Sequence, residues 1–425
     1  MAHKHYVIIG NSYAGVFAIE AIRKQDKDGA ITVISKEPYH AYARAAIHEY
    51  MDGIIGDRQM YYRDMNFYGH HGVTTMLGRT VTRIEPGKNR VVLDNKQTVG
   101  FDRLMISTGG IPITPPIEGS EGPGMFTFTS WDDAKALRGW VQKHKSPRAV
   151  VIGGGLIGLQ CAEGLQHLGV DVTVVELADY ILVKALDQLT ATRVQRWLSE
   201  NGLKIVTGTT VESVRRLKGA ITGVRLKNGE KLACNTVVLS IGVRPNTGLT
   251  EGSGIKVNRG IMLDNTMQTN IEGIYAAGDV AEAEDFLRKR ADVLPIIPVA
   301  TMQGRIAGTN MAGGDATYPG GLPQNAFQFF GKNTVSIGNV IYADKLGGFE
   351  EIVRDEGDVY RKAVLQDGRL VGILSMNQIT RIGIYNSIIR ARMDVSGIRE
   401  RLLADDFGFL DLPKEFRDEL LTKPG

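Results

Sequence analysis

Two stretches of the chain repeat one pattern of apolar and polar positions. Tyr6-Val7-Ile8-Ile9 is an unbroken apolar run that enters Gly10-Asn11-Ser12-Tyr13-Ala14-Gly15 and then a helix-type stretch. Ala149-Val150-Val151-Ile152 is a second such run, entering Gly153-Gly154-Gly155-Leu156-Ile157-Gly158 and another helix-type stretch. Each is followed by one more β-type run, Ala30 to Ile34 and Val172 to Val175. Short apolar runs without alternation fit strands buried on both faces of a parallel sheet. The pattern predicts two strand–turn–helix–strand units, and this pair is the one internal repeat.

Arg90 to Leu93 and Phe101 to Ser107 read as further strands, and Pro112, Pro115 and Pro116 mark a crossing between domains. The second unit ends around Gly242-Val243-Arg244-Pro245-Asn246, a strand running into a turn. Thr269 to Asp279 reads as a strand ending in Gly-Asp, and Val299 to Met311 as a helix. The pattern changes in the last hundred or so residues. There Tyr360 to Leu365 and Leu370 to Leu374 flank Asp367-Gly368, a strong hairpin signal. Ile382 to Met393 is helix-like. This part carries no reactive motif and is expected to be a small α/β domain forming a dimer or partner interface.

A chain of 425 residues is too long for one core, so two or three domains are expected. A formal charge of +3 lacks the basic bias of a nucleic-acid binder. Arg288-Lys289-Arg290 reads as a solvated loop rather than a docking patch for an acidic protein. The two cysteines, Cys161 and Cys234, are too few for a disulfide scaffold or a four-cysteine iron–sulfur site. His70-His71 has no carboxylate or cysteine at ligand spacing, so no metal site is expected. The first strand follows Met1 almost directly, so no signal peptide is expected. No apolar stretch reaches the roughly 20 residues of a membrane span, and a cytoplasmic location is the default.

The glycine-rich turns carry the chemistry. Glycines let the backbone approach a pyrophosphate, and the helix that follows offers its positive N-terminus to the anion. Two such turns in one chain point to two dinucleotides and to hydride transfer between them. Glu176 ends the second strand of the second unit, where a carboxylate accepts from both ribose hydroxyls and repels a 2′-phosphate. Leu177-Ala178-Asp179-Tyr180 supplies no arginine to neutralise such a phosphate, so NADH is expected over NADPH. In the first unit Ser12 replaces the middle glycine, and the second strand ends in Ser35-Lys36-Glu37. Glu37 is the expected ribose ligand there, with Lys36 an alternative at the ribose or adenine edge.

Together with Phe101-Asp102-Arg103-Leu104-Met105-Ile106-Ser107-Thr108-Gly109, Ile241 to Asn246 and Ala276-Ala277-Gly278-Asp279, these motifs resemble the FAD- and NAD-dependent pyridine nucleotide oxidoreductases of the glutathione-reductase fold. The resemblance covers residues 1 to about 340. It implies an α/β protein with two Rossmann-like nucleotide-binding domains, one inserted in the other, plus a small C-terminal α/β domain. The expected divisions are 1–117 with 246–320 for FAD, 118–245 for NAD, and 321–425 for the interface domain.

By the same resemblance, Gly10, Ser12, Tyr13, Ala14 and Gly15 belong to the FAD site. Asp279 would bind the ribityl chain, with Gly278 close to the pyrophosphate, and Thr108 and Gly109 would line the site at the crossing. Val81 would lie near the adenine. The helix opened by Pro298-Val299-Ala300 would point its N-terminus at the flavin, where it favours negative charge by about 0.3–1 kcal/mol. Gly153, Gly155, Leu156, Ile157, Gly158, Glu176 and Gly242 would hold NAD(H).

The branch of the family follows from the thiols. The first helix carries no cysteine pair, and Tyr39 to Ile47 carries no single reactive cysteine. Tyr42-x-Arg44 resembles the ferredoxin-reductase and nitrite-reductase flavin branch, with Arg44 near the FAD phosphates or the flavin edge. Ala45, Ala46 and Glu49 stand where prolines and a lysine often follow that arginine, and Gln160 replaces a glutamate common in the second helix. The implied activity is electron transfer between NAD(H) and an iron–sulfur protein or subunit through FAD, with no side-chain acid or base required for the hydride step. The alternatives are a stand-alone NADH oxidase or diaphorase using oxygen or quinone, and a redox-linked scaffold resembling apoptosis-inducing factor. A homodimer or a hetero-oligomeric complex fits these readings.

Overall fold

The structure, a computed structural model, describes residues 4–341 and 348–422; Met1, on which the expectation of no leader rests, lies outside them. The chain forms two compact units, Met1–Leu177 with Ile205–Gly321, and Ala178–Lys204 with Leu322–Gly425.

The first unit contains both glycine motifs, each on its own parallel sheet. In one sheet the strands run in the order Ile274–Ala276, Arg103–Ile106, His5–Ile9, Ala30–Ser35, Val73–Leu77, all parallel. In the other, Asp171–Val175, Arg148–Ile152, Thr236–Leu239 and Met125–Thr127 are neighbours in that order, again parallel. The motif strands lie inside their sheets, and Val7, Ile8, Val150 and Val151 are buried. That placement is why they read as continuous apolar runs instead of alternating ones.

Helix α1 (Tyr13–Gln25) follows the first turn, α2 (Leu156–His167) follows the second, and α3 (Ile297–Met311) lies later in the chain. α1 and α3 pack backbone to backbone. A Cβ built on Gly304 would lie 2.9 Å from the Cα of Ala14, and one on Gly308 would lie 2.8 Å from the Cα of Ala18. Both pairs advance by four residues in the same sense, so the two helices run parallel. Gly304→Ala forces them apart and is expected to cost about 1–3 kcal/mol. A thermal melt of the variant should fall by a few degrees; an unchanged midpoint would show that the helices do not touch there.

A short antiparallel ribbon, Gly110–Pro112 against Val243–Pro245, lies where the chain passes from one motif's sheet to the other's and back. The Thr108 hydroxyl donates to the Asn246 carbonyl at 2.8 Å, and the Asn246 N–H donates to the Gly109 carbonyl at 2.9 Å.

The second unit is built on an antiparallel sheet in the order Gln324–Phe329, Lys332–Gly338, Arg369–Met376, Val359–Gln366, Glu350–Glu356. Asp367 and Gly368 turn its central hairpin with φ of 50° and 71°, the left-handed pair that a two-residue turn requires. The helix Gln188–Glu200 belongs to this unit, and its Trp197 indole donates to the Phe329 carbonyl at 3.0 Å. Lys362, on the strand Val359–Gln366, is buried and pairs with Asp187 and Glu351. Burial opposes the charge on Asp187, but hydrogen bonds from Lys362 and Thr190 outweigh it and hold the carboxyl below its ordinary pKa.

Among the described residues no helix is long and apolar enough to cross a membrane. In the Arg288–Arg290 loop, Arg288 pairs with Asp292 and Lys289 with Glu284, which lowers the net charge the loop presents.

Candidate functional site

The first turn is shaped by steric exclusion. Gly10 has a φ of 116°, and a Cβ there would collide with the Ser107 carbonyl group. A Cβ on Gly15 would strike the carbonyl of Gly10, so the helix can start this close to the strand only with glycine at that position. Ser12 is the cap residue of α1, and its side chain makes no capping bond. Tyr13 opens the helix with its ring stacked on Tyr62 at 4.7 Å, and Ala14 is buried. The second turn repeats the device. Gly153 has a φ of 111° against the Ser240 carbonyl, and a Cβ on Gly158 would strike the Gly153 carbonyl. At Gly155 a Cβ would meet nothing within 4 Å, so the turn is open on the side where α2 begins. Leu156 and Ile157 form the first turn of α2. Both helices start with N–H groups that find no acceptor among the described residues, beside a concave backbone, which suits an anion.

Around the first turn the chain gathers Lys36, Glu37, Arg44, Thr108, Gly109, Gly278 and Asp279. Arg44 pairs with Glu37, and its other guanidinium nitrogen donates to the Thr129 carbonyl at 2.9 Å. The Tyr42 hydroxyl donates to the second Glu37 oxygen at 2.9 Å. Among the described residues each Glu37 oxygen therefore has one protein donor, and it keeps a lone pair for another. Lys36 is exposed, and Val81 is buried at the start of the strand Val81–Glu85. Gly109 has a φ of 68°, with nothing within 4 Å of an added Cβ.

Gly278, with a φ of 83°, lies between α1 and α3; a Cβ on it would sit 3.3 Å from that of Ala14 and 3.7 Å from that of Ala300. Val299 and Ala300 are buried in the first turn of α3. Asp279 is half-buried, and desolvation raises its pKa while the Arg44 charge opposes that rise. Its carboxylate accepts no hydrogen bond from the described residues, so it stands as an acceptor available to a bound hydroxyl. An open glycine cradle, a helix N-terminus and an unsatisfied carboxylate fit a ligand that combines a pyrophosphate with a polyhydroxylated chain.

At the second turn the Glu176 carboxylate accepts the Gly154 N–H at 2.6 Å. This bond holds the acid against the glycine loop, as a ribose-binding carboxylate must be held. Gly242, with a φ of 115°, faces Ile113. Ile113, Ile157, Leu177 and Ile241 leave apolar surface exposed around this site.

Neither cysteine is disposed for thiol chemistry. Burial pushes the Cys161 thiol far above its ordinary pKa and lifts that of Cys234 to about 11. Both are free and buried.

The sequence placed Asn246 in a motif without giving it a role, and it passed over Gln303. Gln303 had a legible signal, since it is a polar residue at a core-facing phase of α3, among Val299, Ala300, Ala307 and the two packing glycines.

Residues 4–304 match the family described as pyridine nucleotide-disulphide oxidoreductase. The NADH-dependent phenylglyoxylate dehydrogenase subunit epsilon of Aromatoleum evansii is 32% identical over 410 residues, covering 95% of this chain and 95% of its own. The assimilatory nitrate reductase electron transfer subunit of Bacillus subtilis (strain 168) is 30% identical over 408 residues; this chain spans about half of that protein, 51%. Among solved structures, a NAD-dependent persulfide reductase from A. fulgidus superposes with a TM-score of 0.87 at 28% identity, over 94% of this chain and 79% of that one.

Proposed function

The chain belongs to the pyridine nucleotide-disulphide oxidoreductase family and is an oxidoreductase using FAD and NAD(H), and from that premise we propose that it passes electrons between NAD(H) and a separate iron–sulfur protein, as the NAD-linked flavin subunit of a larger oxidoreductase. The observation that carries this reading is the pair of glycine cradles within one compact unit, with both cysteines free and buried. Electrons then leave without a thiol relay. Bound FAD supplies the exchange between a two-electron hydride carrier and one-electron acceptors.

In this reading the chain's own groups bind and orient. Gly10 and Ser12 to Gly15 hold the FAD pyrophosphate, with Glu37 or Lys36 on the ribose, Val81 at the adenine and Arg44 at the phosphates or flavin edge. Asp279 takes the ribityl hydroxyls, Thr108 and Gly109 line the crossing, and Val299 and Ala300 present the start of α3. Gly153 to Gly158 and Glu176 hold NAD(H), with Gly242 beside it. The domains assigned are 1–117 with 246–320, 118–245, and 321–425. Two cysteines cannot supply a four-cysteine cluster, so the iron–sulfur group is placed on another polypeptide. The relative of matching length bears the name of a subunit of an NADH-dependent dehydrogenase, which supports a subunit role. We place the protein in the cytoplasm.

Anaerobic isolation of the native protein tests this, with iron per flavin and the co-purifying chains as the readout. Iron on a stoichiometric companion is the expected result. A lone, iron-free flavoprotein that oxidises NADH rapidly in air would overturn it in favour of an oxidase or diaphorase.

A further inference from the structure

Gln303 stands on α3, one turn in from Val299 and Ala300, and is 3% exposed. Its Oε1 accepts the backbone N–H of Gly278 at 2.9 Å in a buried setting. The Gly278 N–H can only donate, so the amide must turn its carbonyl that way, and this leaves Nε2 facing the Tyr318 hydroxyl at 3.4 Å. Tyr318 is itself anchored, its N–H donating to the Asn265 carbonyl at 2.7 Å. The residue after Gly278 is Asp279, the one after Gln303 is Gly304, and Gly304 fixes α3 against α1.

We propose that Gln303 is a positioning residue for FAD, holding the Gly278–Asp279 turn against α3 so that the Asp279 carboxylate and the α3 N-terminus address one ligand in a fixed relation. Gly278 adopts a left-handed conformation, and glycine has many other conformations open to it. A side chain from the neighbouring helix that accepts the Gly278 N–H removes that freedom before the ligand arrives. Ligand affinity then carries less of the ordering cost. Without the acceptor, a buried N–H is left unpaired in the very turn that carries Asp279.

The inference rests on Asp279 as a ribityl ligand. The test uses the full-length protein stripped of flavin and retitrated with FAD, following flavin fluorescence, in wild type, Gln303→Leu and Gln303→Glu. Gln303→Leu should raise the FAD dissociation constant by about tenfold or more. It should leave NADH binding to the flavin-free protein unchanged. Gln303→Glu keeps an oxygen toward Gly278 and should recover most of the affinity. The titration is run well below the melting temperature of each flavin-free variant, so a merely structural role would lower the melting point without moving the FAD constant. The inference falls if Gln303→Leu binds FAD like wild type, or if Gln303→Glu binds as poorly as Gln303→Leu. An Asp279→Ala control separates the two readings. If it leaves FAD binding intact, the ribityl assignment fails; if it releases FAD while Gln303→Leu does not, only the inference on Gln303 fails.

Discussion

Asp279→Ala is expected to be isolated largely without FAD. Asp279 follows a left-handed glycine and is half-buried, and no protein donor among the described residues satisfies its oxygens. A carboxylate in that state is poised for hydroxyl donors from a ligand. Hydrogen bonds to a charged group contribute about 1.5–3 kcal/mol each. Losing two of them weakens FAD binding by between roughly a hundredfold and ten-thousandfold. Removal of the carboxylate also leaves the Arg44 guanidinium with Glu37 as its remaining acidic neighbour, which does nothing to recover the contacts. The measurement is flavin per protein after gel filtration, followed by titration with added FAD. A variant that keeps one FAD per chain after filtration would end the assignment.

Glu176→Arg is expected to invert nucleotide preference at the second turn. The carboxylate is held by the Gly154 N–H at 2.6 Å, so it is fixed beside the glycine loop before any nucleotide binds. Replacing it removes two acceptors for the ribose hydroxyls and one clamp on the loop. With about 1.5–3 kcal/mol for each lost charged hydrogen bond, NADH affinity should fall by between roughly a hundredfold and ten-thousandfold. The guanidinium introduced can pair a 2′-phosphate bidentately, so NADPH should bind more tightly than it does to wild type. Equilibrium titration of the variant with both nucleotides gives the answer. NADH affinity equal to wild type would place the dinucleotide somewhere other than this turn.

Much of the fold was legible because the two motif sheets are parallel and covered on both faces. Val7 to Ile9 and Val150 to Ile152 had to be apolar at every position, and that leaves an unmistakable trace. The Asp367-Gly368 turn was legible for a different reason, since only a few residue types tolerate two successive left-handed conformations. The pairing of Glu37 with Arg44 and Tyr42 was not foreseen. It depends on how the segment after a strand curls back, and local spacing holds no information about that. Grouping of the 178–204 segment with the C-terminal sheet was equally hidden, because it rests on contacts such as Trp197 to Phe329, 132 residues apart. Gln303 lay between these extremes. Its polarity on an apolar stripe was visible, but its partner, a backbone N–H 25 residues earlier, was not.

The parallel crossing of α1 and α3 has a metric consequence. Ala14 is the second residue of its helix and Gly304 the eighth of its own, so the start of α3 projects six residues beyond that of α1, about 9 Å at 1.5 Å per residue. The two positive ends form a staircase, with a tread whose depth is set where backbones touch and not by adjustable side chains. Moving Gly304 from Ala14 to Ala18 would change it by four residues, about 6 Å. A ligand that touches both helix starts is thus measured against a spacing set by backbone contact.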